Sequence, residues 1–200
     1  MAVLGTTPGR TRRLLCALAL PIVLALGVSA CGADDPVTPP VTATDAKAAT
    51  TALEAGLKAH ADGDLTGAVA DYHKALSFDA KNKYAFYNLA LIDAANGNYG
   101  LAEANYRSAI KSDAKYEPAL FNLAILRTAS GDAKEAISLY KRAVVANPKD
   151  AAAWLNLGLL QRDNGKKADG DKNVLKAIAL NPKLKDPTKA MTESDTVEAP

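Results

Sequence analysis

The sequence predicts an all-α fold, an α-solenoid assembled from four 34-residue helix-turn-helix repeats. Three observations carry that prediction. Gly63, Gly97, Gly131 and Gly165 stand 34 residues apart, and so do Ala75, Ala109, Ala143 and Ala177. Between these marks, apolar residues recur at the three- and four-residue steps of a helix face. Alanine contributes most to an apolar content of 48%, aromatic residues are only 6%, and helix formation costs alanine no side-chain entropy.

The 200 residues suit one domain with flanking segments. The formal charge is +2, from 24 Lys and Arg against 22 Asp and Glu, which excludes a strongly basic nucleic-acid binder. Two cysteines and two histidines exclude a disulfide framework and argue against a zinc site.

Residues 1–30 read as a leader. Arg10, Arg12 and Arg13 form a positive start, and Leu14 to Val28 is almost wholly apolar. That stretch is shorter than the ~20 residues a membrane helix needs, and Pro21 interrupts it. Val28-Ser29-Ala30-Cys31 resembles a bacterial lipobox, which implies cleavage before Cys31 and lipidation of its thiol. An ordinary secretory cut near Ala30 is the alternative. Thr11-Arg12-Arg13-Leu14-Leu15 loosely resembles a twin-arginine signal, and the export route stays open. Cleavage removes Cys16 and three arginines, leaving one thiol and a charge of −1. Acyl chains alone would then supply the membrane affinity. Residues 31–48 follow, rich in Pro, Thr and Asp, and are expected to form a flexible tether some tens of ångströms long at most.

The repeats occupy 49–82, 83–116, 117–150 and 151–184 without insertion. Leu76, Ile110, Val144 and Ile178 keep the step, as do Ala68, Ala102 and Ala136, and Tyr72, Tyr106 and Tyr140. The third block shows the logic. Pro118 stands near a helix start, where a missing N–H costs little. Leu120, Leu123, Ala124 and Arg127 follow at helical spacing, and Gly131 suits the left-handed residue after a helix. Ala136, Ile137, Tyr140, Ala143 and Val144 then share one face of a second helix, which Asn147-Pro148 ends.

A 34-residue helix-turn-helix carrying Trp154-Leu155-Asn156-Leu157-Gly158, Gly165, Ala177 and Pro182 resembles the tetratricopeptide repeat (TPR) family. So does Gly131, Ala136, Tyr140, Ala143, Pro148 in the third block. The resemblance spans about two-thirds of the chain and implies a right-handed superhelix. Departures are Ala52 in place of a bulky residue, Ala80 and Ala114 in place of proline, and Gly170 and Val174 in place of Ala and Tyr. The fourth second helix has a polar start that suits a terminal cap. Residues 185–200 are expected to be disordered.

No catalytic constellation is legible. His60 and His73 stand 13 residues apart with neither an HExxH pattern nor a Cys partner, and no phosphate-binding glycine loop occurs. Asp62, Asp64, Asp169 and Asp171 flank turns, where acids favour helix N-termini. The chain therefore reads as a non-enzyme with no cofactor and no metal.

The resemblance implies that the first helices line a concave groove for a peptide. By register its columns are Leu53, Tyr87, Phe121, Leu155, then Leu57, Leu91, Ile125, Leu159, with an amide ladder of Asn88, Asn122 and Asn156. The amides suit peptide backbone, and the apolar strip suits side chains. The asparagines also read as plain repeat consensus, and the Leu57 column as core. Tyr87 and Phe121 are the expected anchors, because Phe86 and Leu120 beside them fill the core position. A basic clamp for acidic C-termini is not expected, since its positions hold Leu53, Pro118 and Asn122. Arg127 and Arg162 remain as charged contacts. The repeats hold 18 Lys and Arg against 15 Asp and Glu, too weak and spread for nucleic acid.

The reading is a membrane-anchored scaffold, lipidated at Cys31 on the extracytoplasmic side of a bacterial envelope, docking a peptide of an envelope protein. The alternatives are a self-associating scaffold, a homo-oligomer paired through Leu175, Ile178 and Leu180, or an accessory subunit of an envelope, secretion or pilus assembly machine.

Overall fold

The computed structural model describes residues 43–184 and Asp186. The leader, Cys31, the tether up to residue 42 and the rest of the tail lie outside the described residues. Eight helices follow one another: α1 (Ala43–Ala61), α2 (Leu65–Phe78), α3 (Lys83–Ala95), α4 (Tyr99–Ser112), α5 (Glu117–Ala129), α6 (Ala133–Ala146), α7 (Ala151–Asp163) and α8 (Lys167–Leu180). No strand occurs among the described residues. The main contacts join each helix to the next in sequence, which is the linear pattern of a helical solenoid.

The turn inside each helix pair depends on glycine. Gly63, Gly97, Gly131 and Gly165 have φ of +84, +77, +82 and +76°, a region closed to most side chains. In each turn the next residue's N–H reaches a carbonyl five residues back, as Asp132 does to Arg127 at 2.9 Å. Asp64 and Asp132 then cap the following helix, accepting from Gly67 and Glu135 at 2.8 and 3.0 Å.

Small residues let the helices of a pair close. Ala68, Ala102 and Ala136, and Ala75, Ala109, Ala143 and Ala177, are fully buried. Leu89, Leu123 and Leu157 face them from the first helices, and Tyr72, Tyr106 and Tyr140 fill the space between pairs. In the last pair the approach is limited by backbone. A Cβ on Gly158 would lie 2.8 Å from the Gly170 carbonyl, and one on Gly170 would lie 2.5 Å from the Gly158 carbonyl. The fourth repeat therefore holds Gly170 and a buried Val174 where the others hold Ala and Tyr. Both residues are spent inside the repeat.

Two expectations are corrected. The tether does not extend to residue 48, because α1 begins at Ala43. Six more residues are helical, since the segment is rich in alanine and Asp45 sits favourably in the first turn. The tail does not become structureless at residue 185, because Asp186 is buried. Its carboxylate accepts two bonds from the Arg162 guanidinium, at 2.8 and 2.9 Å. Arg162 also donates to Asp171 of α8 at 2.7 Å, and this fork closes the end of the array.

Polar links recur at one position. Asp93 accepts from Asn105 at 2.8 Å, and the equivalent Gln161 accepts from Asn173 at 2.6 Å. Between them in register, Arg127 pairs with Glu103 at 2.5 Å and Glu135 at 3.3 Å, while Arg107 bridges the same two carboxylates at 2.9 and 2.7 Å. This network joins α4, α5 and α6 across the seam between repeats two and three. At the other end of α5, burial first and then Asp150 beside it raise the Glu117 carboxyl to about 7.

Tyr106 is 3% exposed, so Tyr106→Ala is expected to destabilise the array by roughly 3–5 kcal/mol, read from its denaturant midpoint. Glu117 titrates near 4.5 when unfolded and about 7 when folded. The folded chain thus holds a proton that the unfolded chain has lost between those values. The associated stability is present below the lower value and is lost as pH rises through the upper one. Unfolding midpoints measured from pH 5 to 7.5 should fall by on the order of 1–3 kcal/mol more in the natural chain than in Glu117→Gln.

Candidate functional site: paired clefts along the first helices

Two clefts open beside the first helices. One, of about 380 Å³, is lined by Ala94, Tyr106, Asn122, Ile125, Leu126 and Ala129, and also by Tyr99 and Ser130. The other, of about 460 Å³, is lined by Thr128, Tyr140, Asn156, Leu159, Leu160 and Asp163, and shares Ile125 and Ala129 with the first. The two sets of six match position by position at a step of 34 residues. They are one cleft built twice. Each has a tyrosine at its base and an asparagine in its wall, and an apolar side chain from the first helix stands at its lip.

Four predicted groove residues, Asn122, Ile125, Asn156 and Leu159, come together here. Ile125 is 43% exposed and divides the two clefts. The other four, Tyr87, Asn88, Leu91 and Phe121, are half-buried and line neither cleft. Tyr87 meets Tyr106 at 6.1 Å between ring centroids and stands edge-on to Tyr116 at 5.5 Å. Its hydroxyl accepts from Asn122 Nδ2 at 3.2 Å. Phe121 repeats the same contact one repeat later, edge-on to Tyr140 at 5.9 Å. These two rings serve the seam between helices, and Ile125 is the more exposed side chain beside them. Leu53 and Leu155 are half-buried and Leu57 is 45% exposed.

The amide ladder is partly engaged. Asn88 donates to the Tyr84 carbonyl at 2.8 Å and Asn122 to the Pro118 carbonyl at 2.9 Å. Burial pushes Tyr106 up to about 12, with Tyr87 adding to it. Burial likewise raises Tyr140, against hydrogen bonds with Thr128 and Asn156 that lower it. Both phenols therefore stay neutral at physiological pH. The clefts offer neutral hydroxyls and amides inside an apolar rim.

Arg127 and Arg162 do not act as charged groove contacts, since both are taken into the ion pairs described above. His60 stands with its Nδ1 3.4 Å from the Tyr72 hydroxyl, and His73 is exposed. No group of three or more metal-ligating side chains occurs among the described residues. No helix among them is long and apolar enough to cross a membrane. Sequence reading missed the Ile125 position as the divider. The signal was present as the offset between columns, but spacing alone does not say which column faces outward.

The tetratricopeptide repeat pattern matches residues 93–160 and, in a second form, residues 151–184. Among solved structures, the chain is similar to MamA at 21% identity and TM-score 0.60, covering 72% of this chain and 81% of that one. It is similar to PilF of Pseudomonas aeruginosa at 24% identity and TM-score 0.62, covering 76% and 68%. It is also similar to the first TPR of Spaghetti (RPAP3), solved with an HSP90 peptide, at 22% identity and TM-score 0.56, covering 60% and 98%. At these identities the likeness is one of fold. No curated protein matched. The repeat pattern, the eight helices in series and these structural likenesses together make the chain a member of the tetratricopeptide repeat family, whose helix pairs are scaffolds for protein interaction.

Proposed function

We propose that this chain is a lipid-anchored, non-catalytic scaffold of the bacterial envelope that docks a peptide segment of another envelope protein. The observation that carries the docking reading is the doubled cleft, shared at Ile125 and Ala129. Two equivalent pockets in series suit a chain with two apolar side chains set one repeat step apart. The phenols and amides at their bases suit its backbone.

Ligand chemistry follows from charge. Of the side chains lining the two clefts, Asp163 is the charged one and none is basic. The basic clamp positions hold Leu53, Pro118 and Asn122. An uncharged apolar segment therefore fits better than an acidic C-terminus. The peptide-bound neighbour supports peptide docking as a capacity of this fold, and no more. Affinity would rest on a few buried anchors. Anchoring rests on the Val28-Ser29-Ala30-Cys31 resemblance, which places Cys31 directly after the apolar leader.

Ile125→Glu combined with Leu159→Glu should lower cross-linked capture of an envelope partner at least about tenfold, because each charge would be buried on docking. Helicity by circular dichroism should be unchanged, and capture at the original level would remove the docking reading. Cys31→Ser should abolish incorporation of labelled fatty acid into the chain. Continued labelling of that variant would remove the lipidation reading.

A further inference from the structure

A second periodic feature lies away from the clefts. Lys81, Lys115, Lys149 and Lys183 stand 34 residues apart, and all four are exposed. Each is the third residue of the same turn. The side-chain oxygens of Asp79, Asp113, Asn147 and Asn181 accept from the backbone N–H of these lysines at 3.0, 2.9, 3.3 and 3.2 Å. The carbonyls of the same four residues accept from Asn82, Tyr116, Asp150 and Leu184, three residues on, at 3.0 to 3.2 Å. Ala80 and Ala114 thus make the turn that Pro148 and Pro182 make. Identical turns hold the four lysine backbones in one repeated geometry.

These turns join the end of each second helix to the start of the next first helix, or follow the last helix, so the four lysines share one edge. Among the described residues none of the four is in an ion pair, whereas Lys83 beside them is bound to Asp113 at 2.6 Å. The carboxylates of this edge include Asp45 in the first turn of α1, Asp79, Asp113, Glu117 and Asp150. Asp113 is neutralised by Lys83, and burial with Asp150 beside it raises the Glu117 carboxyl to about 7.

The same edge is where α1 begins. α1 is antiparallel to α2, and its first residue, Ala43, lies six residues ahead of the position equivalent to Lys83. The segment 32–42 therefore leads from Cys31 into this edge. At about 3.3–3.6 Å per residue its eleven residues reach less than ~40 Å. The lysine edge is thus the edge at which the chain coming from Cys31 enters the repeats.

We propose that this edge is the face the anchored domain turns to the membrane, with the four ammonium groups contacting the phosphates of anionic lipid headgroups. The proposal rests on the anchoring reading above and adds an orientation to it. Its charge is spread along the array, one group per repeat, so the contact is weak, sensitive to salt and dependent on the anchor for local concentration.

The test uses the full chain as isolated with its anchor, reconstituted into phosphatidylcholine vesicles with or without about 30% phosphatidylglycerol, an anionic lipid. Flotation reads the anchor, and lysine acylation read by mass spectrometry reports the edge. In anionic vesicles Lys81, Lys115, Lys149 and Lys183 should acylate at least about fivefold more slowly than in detergent, with the protection lost at high salt. Lys134 and Lys166, at the opposite edge, should not change. Flotation with equal labelling of both edges overturns the orientation and leaves the anchor standing. A chain that floats with neither vesicle overturns both. Equal protection by inorganic phosphate without vesicles, or protection in whole envelopes but not in vesicles, also overturns the membrane assignment, by making the edge an anion site or a protein contact.

Discussion

One packing contact carries the array. A single helix pair exposes too much apolar surface to stand alone, and each second helix presents one large side chain to close that gap. Tyr72, Tyr106 and Tyr140 do this in the first three repeats, each fully or almost fully buried. Their size is tolerable only because the columns around them are alanine. The aromatic ring and the small residues thus depend on each other. The last repeat reverses the terms, with Gly158 and Gly170 in backbone contact and Val174 where the ring would be. Close approach of the two helices there takes the place of the ring.

The clefts are a consequence of the same contact. Tyr106 and Tyr140 close the interior with their rings and contribute to the clefts at their surface. Phenols are neutral at physiological pH and burial moves these two further from ionising, so they add polarity without charge. The ionic groups are used elsewhere. Arg127 and Arg107 tie repeats two and three through Glu103 and Glu135, and Arg162 ties the final helix pair to Asp171 and Asp186. Charges that the linear sequence leaves open for a ligand thus become internal fasteners. The clefts keep only Asp163 among ionisable carboxylates.

The two edges of the array also differ. Turns within a pair are governed by a left-handed glycine and, in two cases, an aspartate cap. Turns between pairs, and the one after the last helix, are governed by an Asx bond that fixes a lysine in the same place each time. A tandem repeat therefore sorts residue types onto faces without any single residue being specialised. Periodicity alone turns one lysine per repeat into a row.

Much of this was legible in the sequence. The 34-residue step is a covalent property, and the left-handed glycines, the alanine columns and the buried tyrosines follow from local sterics and helix periodicity. Of the predicted columns, Asn122, Ile125, Asn156 and Leu159 line the two clefts and the rest do not. What needed the tertiary structure was the direction in which half-buried side chains turn. Tyr87 and Phe121 go to the seams, and Ile125 goes to the lip, because neighbouring rings and the Asn122 amide compete for the same space. The partners of Arg127 and Arg162 were hidden for another reason. Glu103 and Asp186 each lie 24 residues away in the chain, and such contacts exist only once separate turns have brought those residues together. Local chemistry decided which helices form and how often they recur. Packing between repeats decided which side chains remain available for a partner.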